Sequence, residues 1–198
     1  MKNKKVFIFV LICMIVFFIF YYIFIFLGNN KNINQDEIVD RILNSFSKYE
    51  ANIAVHVVSN KNESYYNMFQ SVNNDNSKLV VNEPEEIKGM TIEKNNNCLK
   101  ISNPKINMEK IYSDYNMALN NSLFLDTFVE EFKNNNSEVL KEKDKIIFKI
   151  KINDNFNTYA NYKELYVNRK TGTPEELVIK DNTQNIRISI IYNDIKIK

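Results

Sequence analysis

The side chains able to do chemistry are few in this 198-residue chain: one histidine, two cysteines and three glycines. The glycines, Gly28, Gly89 and Gly172, stand too far apart to form a phosphate-cradling loop or a dinucleotide-binding turn. One histidine with Cys13 and Cys98 cannot assemble a His/Cys zinc cluster. A serine triad would have to use His56, and no nucleophile-elbow pattern accompanies it. Two acid pairs remain. Glu83 and Glu85 flank Pro84 and could be imagined as glycosidase carboxylates, but loop acids beside a proline are commonly surface charge. Glu130 and Glu131 adjoin on a predicted helix, where neighbouring acids read as a solvated face rather than an acid/base pair. No catalytic residue, cofactor or metal site is therefore expected.

Such side chains would have to be positioned by two unlike parts. Val6–Leu27 holds 22 residues without a charge, amide or proline. As a helix it would reach about 33 Å, enough to cross a hydrocarbon core of about 30 Å. Lys2, Lys4 and Lys5 precede it, so the positive-inside rule places the amino terminus in the cytoplasm and everything after Leu27 outside. The run is long for a cleaved signal, and Phe26-Leu27-Gly28-Asn29 lacks small residues at the cleavage positions. Ile12 before Cys13 is too bulky for a lipidation site. An uncleaved anchor over residues 1–27 is the expectation, with cleavage near Gly28 as the alternative, and residues 28–34 form a polar spacer. The three anchor lysines account for more than the whole formal charge of +2, which leaves the rest of the chain slightly acidic and gives no electrostatic case for nucleic acid. Cys98 is the one cysteine beyond the anchor, so no intramolecular disulfide can stabilise that part.

Residues 35–198 read as one α+β domain. Asn34 and Glu37 have capping-box spacing, and Ile38, Val39, Ile42, Leu43 and Phe46 form an apolar stripe, which predicts a helix to about Lys48. Alternation or apolar runs predict strands over 52–57, 64–70, 78–82, 87–93 and 97–102. Residues 103–121, with Pro104, read as a long connection with one helical turn. A second helix is expected over 121–133, with Leu125, Phe128, Val129 and Phe132 on its apolar face and Leu123 and Phe124 at its start. Strands follow at 145–152, 161–167, 176–180 and 186–197. In the last of these the apolar phase changes parity between Ile190 and Ile191, which predicts a bulge or bend there. The runs Asn95–Asn97 and Asn134–Asn136 read as turns. His56 and Cys98 read as unremarked side chains, the first solvated or partly covered, the second a half-buried thiol. Short connections make the strands antiparallel. Two helices cannot cover both faces of about ten strands, so the economical arrangement is one strongly curved sheet, an incomplete β-barrel, with the helices in its concave face.

Three stretches carry a family resemblance: Ser59-Asn60-Lys61-Asn62 with Tyr65 or Tyr66; Asn82-Glu83-Pro84, Lys88-Gly89 and Ile101-Ser102-Asn103-Pro104; and Leu165-Tyr166-Val167-Asn168-Arg169-Lys170-Thr171 with Pro174, Leu177, Ile179, Asp181-Asn182 and Tyr192-Asn193. Over residues 35–198 the chain resembles the germination lipoprotein GerS family of Clostridia, within the wider LolA/LolB-like lipoprotein-carrier fold. The resemblance implies an incomplete antiparallel barrel with a helical lid. It also implies a non-enzymatic role: binding and activating an N-acetylmuramoyl-L-alanine amidase that modifies spore-cortex peptidoglycan. The sequence departs from a lipoprotein in lacking a lipobox cysteine.

Two functional classes follow. The first is a membrane-anchored module that binds such an amidase, with strand edges that leave a homodimer open. The alternative is a lipid or lipoprotein carrier of the cell envelope, with Phe124, Leu125, Phe128, Phe132 and Phe148 as candidate groove lining, although helix-facing aromatics ordinarily fill the core.

Overall fold

A computed structural model of the chain describes residues 37–74, 76–95, 98–112, 123–152 and 160–198. The chain divides into two units, Met1–Arg41 and Ile42–Lys198. The anchor, Val6–Leu27, and the spacer lie outside the described residues. Among the described residues no helix is long and apolar enough to cross a membrane.

Helix α1 covers 37–45, and its apolar stripe leads Ile42, Leu43 and Phe46 into the core of the second unit. It stops before the expected Lys48, where the chain is already extended in β1 (Lys48–Val58). β2 (Glu63–Asn73), β3 (Asn76–Glu83), β4 (Thr91–Asn95), β5 (Cys98–Asn103) and β6 (Met108–Tyr112) follow as a meander. After helix α2 (Leu125–Asn134) come β7 (Asn136–Lys141), β8 (Lys145–Lys151), β9 (Tyr162–Asn168), β10 (Pro174–Lys180) and β11 (Ile186–Ile197). All eleven form one antiparallel sheet in the order β6-β5-β4-β3-β2-β1-β11-β10-β9-β8-β7.

Several expectations need correction. The strand expected at 87–93 begins later, at Thr91, because Glu85–Ile87 form a 3-10 turn. The long connection at 103–121 contains β6, and β7 had no counterpart. The bulge is not at Ile190/Ile191. Val55, Ala54 and Ile53 pair in step with Ile190, Ile191 and Tyr192, so Ile191 simply points outward and Tyr192 carries the inward phase. The extra residue sits further on: Asn52 pairs with Asn193 but Glu50 with Lys196, and Asp194 between them takes a left-handed φ of 47°. Left-handed asparagines do serve turns, at Asn74 and Asn107; Asn135 bends the chain from α2 into β7 with an extended backbone, and Asn96 and Asn97 lie outside the described residues.

One row of side chains crosses the inner face from β8 to β1: Phe148, Leu165, Leu177, Ile190 and Val55, each paired with the next and each buried. The sheet must curl around α2. β4 and β8 stand seven strand positions apart, about 34 Å in a flat sheet. Yet Lys94 on β4 reaches Asp126 and Phe148 on β8 reaches Phe132, residues separated by only about 9 Å along the helix. The domain is thus a curved, open antiparallel sheet with helices, as the alternation implied. Gly172 closes the β9–β10 turn with φ +72°, and a Cβ there would stand 3.6 Å from Ile42.

Candidate functional site

Helix α2 is the element on which the concave face converges. Its N-cap, Phe124, offers no side-chain oxygen to the first turn. The sheet supplies one: the Leu125 N–H donates to the Tyr49 hydroxyl at 3.1 Å, which donates to Gln70 Oε1 at 2.6 Å. Gln70 Nε2 in turn donates to the Leu123 carbonyl at 2.7 Å. Burial, and then the neighbouring Tyr192, pushes the Tyr49 phenol well above its ordinary pKa, so it remains a donor.

Two lysines from the inner face hold the helix by its acids. Lys94 donates to Asp126 Oδ2 at 2.9 Å and to Thr127 Oγ1 at 3.1 Å, and Ser77 adds a bond to the same carboxylate at 3.0 Å. Lys163, on β9, meets Glu131 Oε2 at 2.5 Å with its side chain 2% exposed. Burial lowers the Lys163 pKa, against the pull of Glu131. Glu131 is therefore not on a solvated face: it neutralises a buried ammonium. Adjacency to Glu130 misled the sequence reading, because the partner lies 32 residues away.

Of the five candidate lining residues, Phe124, Leu125, Phe128 and Phe148 are buried, and Phe132 is half-buried. The structure brings three of the rings together: Phe128 and Phe132 lie 6.2 Å apart, and Phe132 meets Phe148 edge-on at 5.5 Å. They fill the space between α2 and β8. The Tyr192 hydroxyl is buried on the inner face and finds no partner among the described residues.

The remaining chemistry-bearing residues are elsewhere. Glu85 is exposed between Lys105 and Lys88, which hold its carboxyl below the usual range. Glu83 accepts from Asn67. Cys98 is half-buried. His56 has more company than its sequence neighbours suggested: the hairpin places it 3.1 Å from Glu63 Oε2 and stacks it on Tyr65, with ring centroids 4.3 Å apart. Among the described residues no group of three or more His, Cys, Asp or Glu could hold a metal ion. The end strands are the exposed part of the sheet, and Ile106, Met108 and Ile111 stand in solvent at and beside β6.

The fold and site define an open antiparallel half-barrel with a helix held across its hollow, built from structural ion pairs and core aromatics. The chain belongs to the sporulation protein YdcC-like family, whose model matches residues 4–198. It is similar, at 26% identity, to a chain in the structure of the CwlD amidase from Clostridioides difficile in complex with the GerS lipoprotein. That match covers 86% of this chain and 95% of the other, with a TM-score of 0.54. An uncharacterized conserved protein from Thermus thermophilus shares the fold at 10% identity and a TM-score of 0.56, covering 83% and 88% of the two chains. A LolA superfamily protein from Nitrosomonas europaea is similar at 14% identity, with a TM-score of 0.43 over 80% and 93%. No curated protein sequence matches the chain.

Proposed function

We propose that this protein is a non-enzymatic binding partner of an N-acetylmuramoyl-L-alanine amidase in sporulation, and that it activates that enzyme on cortex peptidoglycan. The observation that carries the reading is the 26% identity, over 86% of the chain, to a structure in which the GerS lipoprotein is bound to the CwlD amidase. Membership of a sporulation family supports the setting. Val6–Leu27 anchors the chain in the membrane, and the sheet domain lies outside the cytoplasm. A carrier would need room behind α2, where Phe124, Phe128 and Phe148 are packed.

The test is co-purification of the full chain with amidases from sporulating cells, followed by cortex muropeptide analysis in a strain lacking it. The expected result is a captured amidase and loss of the amidase product. Capture of no wall hydrolase would overturn the reading. Carbonate extraction of membranes tests the anchor: the full chain stays in the pellet, and a chain lacking Val6–Leu27 does not.

A further inference from the structure

The outer face of the sheet carries a second constellation, remote from α2. Ile53 and Val55 point inward, so alternation turns Ala54 and His56 outward. Cross-strand pairing then sets two outward rows side by side. One runs Tyr65, His56, Ser189; the other runs Asn67, Ala54, Ile191, Glu176. Tyr65 is 66% exposed and Ile191 is 48% exposed, large apolar areas to leave in water on neighbouring rows.

Tyr65 is also held in place. Its ring lies parallel to His56, at an interplanar angle of 3°, which covers one face and leaves the other outward. Its hydroxyl donates to Glu63 Oε2 at 3.1 Å, and the same oxygen accepts from His56 Nε2. An aromatic ring fixed before contact loses little rotamer freedom on binding, which is what makes tyrosine an effective anchor.

The charge around this patch has one sign. Glu63 bonds Tyr65, Glu83 accepts from Asn67, and Glu176 accepts from Ser189 at 2.7 Å. No lysine or arginine stands in these stretches of the two rows; followed across β10 and β9, the first row passes Val178 and Glu164 before it reaches Lys149 on β8. Of the cations further along the face, Lys180 and Arg187 are held by Glu164 and Asp181, and Lys149 lies opposite Glu164.

We propose that this outer face docks a segment of a partner protein that presents arginine or lysine side chains beside an apolar one. The cation would lie on the open Tyr65 ring and pair with Glu63, while the apolar side chain covers Ile191 and Ala54. This surface does not depend on the amidase reading.

The chain's one histidine makes the test direct. Full-length protein labelled at histidine, in non-ionic detergent, is titrated with a hexapeptide alternating arginine and leucine, and with its glutamate–leucine counterpart. The His56 ring signals should shift and saturate with the first peptide only. Tyr65→Ala and Glu63→Gln, with unchanged unfolding midpoints, should each weaken the apparent affinity about tenfold. Equal shifts with both peptides would overturn the proposal, as would an unaltered response in both variants. A response to cortex glycan fragments in place of the arginine peptide would overturn it too, and would assign the surface to sugar.

Discussion

The hydroxyl of Tyr49, in the central strand β1, caps the first turn of α2 by accepting the Leu125 N–H across 76 residues of chain. The helix has no cap of its own, so its start is specified by the sheet it lies on. Tyr49→Phe would leave both the Leu125 N–H and Gln70 Oε1 unpaired in the interior. The expected cost is about 1–3 kcal/mol, read from urea unfolding, with faster amide exchange over Leu125–Phe128 as the local signature.

Glu131→Gln should destabilise more than an ordinary surface change, because it strands the Lys163 ammonium in the core. About 3–5 kcal/mol is expected. Adding Lys163→Met should restore much of that loss. A double variant no more stable than Glu131→Gln alone would mean that the pair does not act as a unit.

Tyr192→Phe should move stability the other way. It deletes a buried hydroxyl without a partner among the described residues. The change should be neutral or stabilising by about 1 kcal/mol, since no bond to a described residue is broken and a desolvated group is removed. A clear loss of stability would reveal a partner for that hydroxyl.

Phe128→Ala opens a cavity under α2, where the side chain is almost wholly buried. A loss of about 3–5 kcal/mol is expected. Native mass spectrometry of wild-type protein should find no bound lipid if these rings are core.

Asp181 predicts an acid limit. It is buried at the β10–β11 turn, where burial raises its pKa but donors from Thr183, Asn185 and Arg187 outweigh that and hold it far below the usual range. A carboxyl depressed in the folded state stabilises above its unfolded value of about 3.9 and loses that contribution as pH falls below it. The unfolding midpoint should therefore drop between about pH 4 and pH 2. Asp181→Asn should start lower at pH 6 and fall less over the same range.

The sequence was legible where one face of an element is buried. The alternation of Ile53, Val55 and Val57, and of Ile146, Phe148 and Ile150, identified β1 and β8 because every second residue faces the core. It failed at β6 and β7 for the complementary reason. Met108, Ile111 and most of their neighbours are exposed at the ends of the sheet, so no alternation is imposed on them. The aromatic residues around α2 were found from helical spacing. The lysines opposite them were not, because burial of Lys94 and Lys163 depends on acids that only the fold brings near. Ile191 misled for a related reason: an isoleucine exposed on the outer face looks, in sequence, like a change of phase.

The strand order carries a consequence for how the molecule is made. Every pairing but one joins strands that neighbour each other in the chain; the exception is β1 with β11, where Tyr49 meets Ile197. In order of synthesis β11 follows all ten other strands. Until it emerges, β1 is an open edge and the two meanders can form but cannot join. The central seam of the finished sheet is thus the last contact available to the growing chain, and the half-built protein exposes its future middle to any strand that reaches it first.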